Sequence, residues 1–220
     1  MQHHRHTGSD ISDPEKQFYG LLGYTFSRMH FTQFLKGVLS DMMLWRSFQK
    51  KKAFGEVMSR LKQSKKTVTW GEKWSALIFW GVVLSTVTYL GIWKHFLVFW
   101  VLPLVFVTPV LFQLHNYAEH TGAEGPSEFE RTWSCHFHPF VQMFIQPLRS
   151  GLHLEHHLYP SVPWYRLKKL HRRLCEDPLF SKRALKIRHF FFGPKSILRA
   201  LVIGKGTFRE DSLEGWNEND

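Results

Sequence analysis

Residues 74–92 read WSALIFWGVVLSTVTYLGI and residues 96–114 read FLVFWVLPLVFVTPVLFQL, and neither stretch carries a formal charge. As a helix rising about 1.5 Å per residue, each is long enough to cross a hydrocarbon layer of roughly 30 Å. Only Trp93-Lys94-His95 separates them, so the expectation is a tight transmembrane hairpin over residues 74–114 with its turn at these three residues. Two core helices of a soluble domain would need a covering layer that the rest of the chain hardly supplies. The chain has 220 residues, 44% of them hydrophobic, and these are concentrated rather than spread.

Working outward, the flanks are basic. Arg46, Lys50, Lys51, Lys52, Arg60, Lys62, Lys65, Lys66 and Lys73 precede the hairpin and Arg166, Lys168, Lys169, Arg172 and Arg173 follow it, whereas the turn holds only Lys94. Positive charge accumulates on the cytoplasmic side of membrane proteins, so both flanks are expected there. The net charge of +11 suits anionic headgroups or an acidic partner. It flanks apolar spans rather than a recognition motif, so nucleic acid is not an expected partner. Cys135 and Cys175 lack metal-ligand spacing and read as reduced cytoplasmic thiols.

Upstream, Phe31, Phe34, Leu35, Val38, Met42 and Trp45 recur at helical spacing and predict an amphipathic helix lying in the membrane interface. Residues 50–66 form a charged connector. Downstream, Gly122, Gly125 and Pro126 mark a loop, residues 139–152 are apolar but short and are expected along the membrane surface, and residues 164–174 predict a basic amphipathic helix. Residues 176–220 show no motif; they read as a basic C-terminal extension that ends in an acidic, disordered tail.

Histidines cluster at the ends of this apolar unit. Gly151–Pro160, GLHLEHHLYP, places His153, His156 and His157 at i, i+3 and i+4, on one side of a helix, where they can converge on a metal. Asn116-Tyr117-Ala118-Glu119-His120 ends the second apolar run, and the chain opens on His3-His4-Arg5-His6. Imidazole suits iron, zinc and copper alike, so the residues alone do not choose the metal. Glu119 and Glu155 are candidates to orient neighbouring histidines, while His115, His136 and His138 are weaker candidates for any direct role.

The combination of HLEHHLYPSVPWYRL, NYAEHTG and HHRHTGSD in this order around a hydrophobic hairpin resembles the membrane fatty acid desaturase and hydroxylase family over residues 1–175. The resemblance implies an all-α integral membrane protein with a cytoplasmic histidine-box region that holds two iron ions and uses O2 as co-substrate. It implies multi-pass insertion, in the inner membrane if the source is bacterial. Matched motif by motif, His153, His156 and His157 correspond to the third histidine box and His3 and His4 to the end of the second. His120 corresponds to the separate ligand between boxes, with Asn116 reaching an iron through water. The register at His3 places one more histidine just before Met1, so an N-terminally truncated member is expected, one that is inactive if no earlier box is restored.

The implied function is O2-dependent desaturation of the fatty acyl chains of membrane lipids. Hydroxylation of an alkane, fatty acid or carotenoid by the same boxes is the alternative, and a non-catalytic membrane fragment is another. The sequence has no hydride-donor site or fused cytochrome domain, so electrons are expected from a separate carrier of the ferredoxin, rubredoxin or cytochrome b5 type.

Overall fold

A computed structural model describes residues 13–24, 29–60, 69–122, 127–193 and 196–203. The described chain is mostly helical. The helices before the hairpin are α1 (Pro14–Leu21), α2 (Phe31–Asp41) and α3 (Leu44–Arg60). Two longer helices follow, α4 (Trp70–Tyr89) and α5 (Trp93–His120). The remainder comprises α6 (Glu128–Arg131), β1 (Trp133–Cys135), α7 (Pro139–Ile145), α8 (His153–Leu158), α9 (Leu167–Cys175), α10 (Pro178–Arg183), β2 (Leu185–Ile187) and α11 (Ile197–Ile203).

Helix α4 starts where a capping box says it should. Thr69 Oγ1 accepts from the Glu72 amide at 3.3 Å and Glu72 Oε2 accepts from the Thr69 amide at 2.8 Å, so two otherwise orphaned donors are satisfied. It ends at Gly91, whose φ of +64° supplies the left-handed turn that closes many helices. The hairpin turn is therefore Leu90-Gly91-Ile92, and Trp93-Lys94-His95 forms the first turn of α5 instead. The glycine decides this, because it can take the reversal at no steric cost.

Helix α5 runs 28 residues, about 42 Å, through Pro103 and Pro109. Proline removes an amide donor and crowds the preceding turn. The helix responds by widening into π-helical stretches at Leu97–Val101 and Pro103–Val107, and Thr108 Oγ1 donates to the Pro103 carbonyl at 3.2 Å. Among the described residues α5 is the one helix both long and apolar enough to cross a membrane. The two-span expectation is thus met in part: α4 pairs with α5 through Trp80 and Trp100, 6.4 Å apart. Its first turn, however, includes Glu72 and Lys73, and it stops at Tyr89 before the apolar residues Leu90 and Ile92.

Much of the hairpin exposes its apolar side chains, Leu77, Ile78, Val82 and Phe99 among them, while the last turns of α5 are buried from Gln113 onward except at the half-buried His115. There Tyr117 and Ala118 meet Trp133, Cys135, Ile187, Ile197 and Leu201 in the main core. The amphipathic stretch upstream is broken at Met42-Met43 between α2 and α3. Phe34 packs on Tyr117 at 5.5 Å, whereas Phe31, Leu35, Met42 and Trp45 remain exposed.

An element that helical periodicity did not announce ties the core together. β1 pairs in parallel with β2, Trp133 against Leu185 and Cys135 against Ile187. Trp133 Nε1 donates to the Thr121 carbonyl at 2.8 Å, the Cys135 thiol to the Ala118 carbonyl at 3.2 Å, and the Cys135 amide to the Gly151 carbonyl at 2.7 Å. One short strand thereby joins the end of α5, the entry to α8 and the C-terminal segment. Residues beyond 175 are part of this core up to Leu201 through β2 and α11, and the acidic end expected to be disordered lies outside the described residues.

Gly151 sits where no side chain fits. A Cβ there would stand 2.6 Å from Gln146 Oε1 and 2.8 Å from the Cys135 carbonyl oxygen, the second of which is backbone and cannot swing away. Gly151→Ala is expected to cost about 1–3 kcal/mol through overpacking. A lower thermal unfolding midpoint of the purified protein would show it; an unchanged midpoint would mean that β1 and the entry to α8 are not held as described.

Candidate metal centre

Helix α8 is six residues long and follows two non-glycine residues in the left-handed region, Leu148 at φ 56° and Arg149 at φ 62°. Such backbone is costly and persists only where surrounding structure enforces it. Here the Leu152 amide donates to the Arg149 carbonyl at 3.1 Å and the chain re-enters helix at His153 with Leu154 fully buried. Burying that leucine contributes roughly 1.5–3 kcal/mol and fixes which side of the short helix faces inward.

Three imidazoles then meet. His153 Nε2 lies 3.3 Å from His120 Nε2 and 3.0 Å from His157 Nε2. Metal–imidazole bonds of about 2.0–2.1 Å would put neighbouring ligand nitrogens about 3.0–3.4 Å apart around one ion, so the three residues fit a shared metal. Their outer nitrogens each lie near an acceptor. His120 Nδ1 lies 3.2 Å from the Arg131 carbonyl, which can only accept, so the proton is on Nδ1 and the Nε2 lone pair points inward. His153 Nδ1 stands 3.2 Å from Glu119 Oε1 and His157 Nδ1 stands 3.1 Å from Glu128 Oε2, the latter contact lying off the hydrogen-bond direction. Carboxylates behind metal-binding histidines set tautomer and raise basicity. The four-residue helix α6, started by a Ser127–Glu130 capping box, delivers both Glu128 and the Arg131 carbonyl.

Other expected site residues lie elsewhere. His156 is half-buried with its ring centroid 6.2 Å from those of both His153 and His157, and it lines a neighbouring cavity of about 700 Å³. Asn116 donates through Nδ2 to the Tyr19 hydroxyl and, at 2.8 Å, to the Phe112 carbonyl. His3 and His4 lie outside the described residues. His115 Nδ1 donates to the Ile145 carbonyl at 2.8 Å and its Nε2 is 3.1 Å from Glu119, which leaves it outside the three-histidine group. His138 caps α7 by accepting from the Phe140 amide at 3.3 Å.

A second polar cluster was harder to foresee. His136, Glu155 and His171 come together on the far side of α8. Burial, with His171 and the nearby cations adding to it, pushes the pKa of His136 down to about 3, so this ring is neutral. Glu155, a candidate to orient the box histidines, instead meets His171 and Ser134. The available signal was His171 itself, placed with Leu167 and Leu174 on the apolar stripe of the otherwise basic α9. Burial also raises the Cys135 thiol pKa well above its ordinary value, consistent with a packing role.

The cavity beside His153 and His156 is walled by Leu111, Phe112, Phe144 and Trp164. An apolar chamber thus opens onto two of the imidazoles that the third box supplies. No curated protein and no solved structure matches the chain. The sequence profile described as fatty acid desaturase does match, over residues 1–190, and covers the three-histidine group, the second cluster and the cavity walls. The chain therefore belongs to the fatty acid desaturase family.

Proposed function

We propose that this protein works as a membrane-bound, O2-dependent di-iron oxidoreductase that introduces double bonds into the fatty acyl chains of lipids. The observation that carries this reading is the convergence of the His120, His153 and His157 Nε2 atoms at 3.0–3.3 Å beside an apolar cavity. Its volume of about 700 Å³ falls in the range of small-molecule sites, roughly 300–1,000 Å³.

In this reading His120, His153 and His157 hold one iron, and His156 with His3 and His4 serves the second. The bound pair supplies the O2 chemistry that removes hydrogen from an unactivated C–H bond, which no side chain can do. Glu119 and the Arg131 carbonyl keep protons on the outer nitrogens of His153 and His120 so that the inner ones stay available. Asn116, its amide held by Tyr19 and the Phe112 carbonyl, is assigned a water-mediated contact with the centre by the family motif. Phe112, Phe144 and Trp164 hold the hydrocarbon and exclude water from it. Electrons come from a separate ferredoxin, rubredoxin or cytochrome b5 type of carrier.

Family membership and the exposed apolar surface of α4 and α5 support insertion of the hairpin, and the basic flanks support a cytoplasmic metal centre. Reporter fusions after residue 175 and just before α4 should then behave as cytoplasmic and a fusion at Gly91 as external; the reverse pattern refutes the orientation.

Replacing His120, His153 or His157 by alanine should lower bound iron, measured by metal analysis of the purified protein, and remove whatever activity the unsubstituted form shows. Asn116→Ala should reduce activity by about 10–100-fold while retaining more metal, as for partners that act on a metal indirectly. His138→Ala should change neither. Wild-type iron in the His120 and His157 variants would refute the ligand assignment.

Mass spectrometry of lipids from cells expressing the protein with an electron donor under oxygen tests the reaction itself. Loss of two hydrogens from an acyl chain supports desaturation. Gain of one oxygen replaces it with hydroxylation, and unchanged lipids argue for a non-catalytic role.

A further inference from the structure

The second polar cluster stands against the reverse side of the helix that presents the third-box histidines. Helix α8 has six residues and no side-chain cap at its start. Two turns of helix do not hold their own orientation in water, so tertiary contacts must set its rotation. At about 100° per residue, Glu155 points away from the side shared by His153 and His157. It is fully buried.

Glu155 Oε1 accepts from Ser134 Oγ at 2.7 Å and lies 2.5 Å from His171 Nδ1. Ser134 comes from β1 and His171 from α9, so one carboxylate oxygen ties α8 to two other elements. Ser134 Oγ also meets His136 Nε2 at 3.1 Å, and the His136 and His171 rings lie 4.7 Å apart. On its other edge His171 Nε2 faces Cys175 Sγ at 3.4 Å, and its ring packs against Phe180 at 6.0 Å. The imidazole is thus held on every side. Glu155 Oε2 has no hydrogen-bond partner among the described residues, so the hold on this buried carboxylate rests on the Oε1 contacts.

These residue types also suit a metal, and the distances discriminate. Two ligands of one ion stand about 3 Å or more apart when each bond is about 2.0–2.1 Å. Nδ1 and Oε1 stand closer together than two ligands of one ion, and a ring nitrogen facing a carboxylate oxygen at this range is hydrogen-bonded to it. In the three-histidine group the nitrogens are instead 3.0–3.3 Å apart.

We propose that Glu155 and His171 form a buried clamp that sets the rotation of α8, making His171 a positioning residue for the metal centre although it does not reach the ion. The proposal rests on the reading of His120, His153 and His157 as ligands. Removing the imidazole leaves those ligands in place but frees α8 to turn, so their nitrogens no longer converge. Asparagine at position 171 places an amide donor near the Nδ1 position and restores the hold.

The test uses the purified protein in detergent, stripped of metal by chelation and titrated with Co(II), whose visible absorption reports affinity, stoichiometry and ligand geometry. His171→Ala should weaken Co(II) by about tenfold or more and shift the absorption bands of the saturated protein, as loss of an outer-shell partner does. His171→Asn should return the bands and bring affinity within about threefold of wild type. Ions bound per chain at saturation should be the same in all three. A merely structural role would lower the folded fraction, followed by thermal unfolding, and leave the bands of the bound species in place.

Wild-type affinity and bands in His171→Ala overturn the clamp, as does a His171→Asn variant no better than His171→Ala. Loss of one bound ion per chain in His171→Ala also overturns it, since the cluster would then be a metal site. His120→Ala keeps the two readings apart. If it loses affinity while His171→Ala does not, the clamp alone fails. If neither loses affinity, the metal centre itself fails and the clamp has nothing to position.

Discussion

Imidazole nitrogens 3.0 and 3.3 Å apart can serve as ligands of one ion only if each inner atom is a lone pair, and each ring would then carry its proton outward, where an acceptor has to meet it. The fold meets that condition from different directions. Glu119 lies on the same helix as His120 yet serves His153, while the short helix α6 supplies the Arg131 carbonyl for His120 and brings Glu128 beside His157 without a hydrogen bond. A fold that brought the histidines together without these acceptors would leave their outer N–H groups unpaired and their tautomers unset. The position of α6, a four-residue helix that would not persist alone, is thus as consequential for the site as the histidine spacing.

Those acceptors and ligands lie far apart in sequence, and β1 is the element that brings them into register. Its hydrogen bonds reach the end of α5, the backbone at Gly151 and the parallel partner β2. Space there is limited enough that only glycine fits beside Cys135. The stiffness of this small region offsets the intrinsic weakness of α8, and the contacts of Glu155 extend the same scaffold to the reverse side of that helix.

The helical placement of His153, His156 and His157 was legible because i, i+3 and i+4 fix azimuth on a helix. Azimuth does not fix radial distance or choose a partner, which is why His156 shares their side yet faces the cavity. The hairpin was legible from its uncharged runs, but its turn was set by Gly91, not by the polar residues that follow it. The β1–β2 pair was not legible, since strands of three residues carry too little alternation to stand out from loops. His171 lay hidden for a related reason. Surrounded by Lys168, Lys169, Arg172 and Arg173, it reads as one more polar residue of a basic helix until the burial of its face is known.

Helix α5 joins two environments along one rigid axis. Its first turns leave Leu97, Phe99 and Leu104 exposed, as suits contact with hydrocarbon, and its last turns bury Asn116, Glu119 and His120. Phe112 and His115 stand at the junction and line the cavity. On the proposed function, a ligand-bearing end continuous with an apolar shaft would make the distance from the hydrocarbon layer to the metal centre a property of helix length. Substitutions that shift α5 along its axis, including changes at Pro103 or Pro109, would therefore move Glu119 and His120 together with the cavity wall. On the proposed function, ligand, orienting carboxylate and substrate surface would in this sense be parts of one mechanical unit.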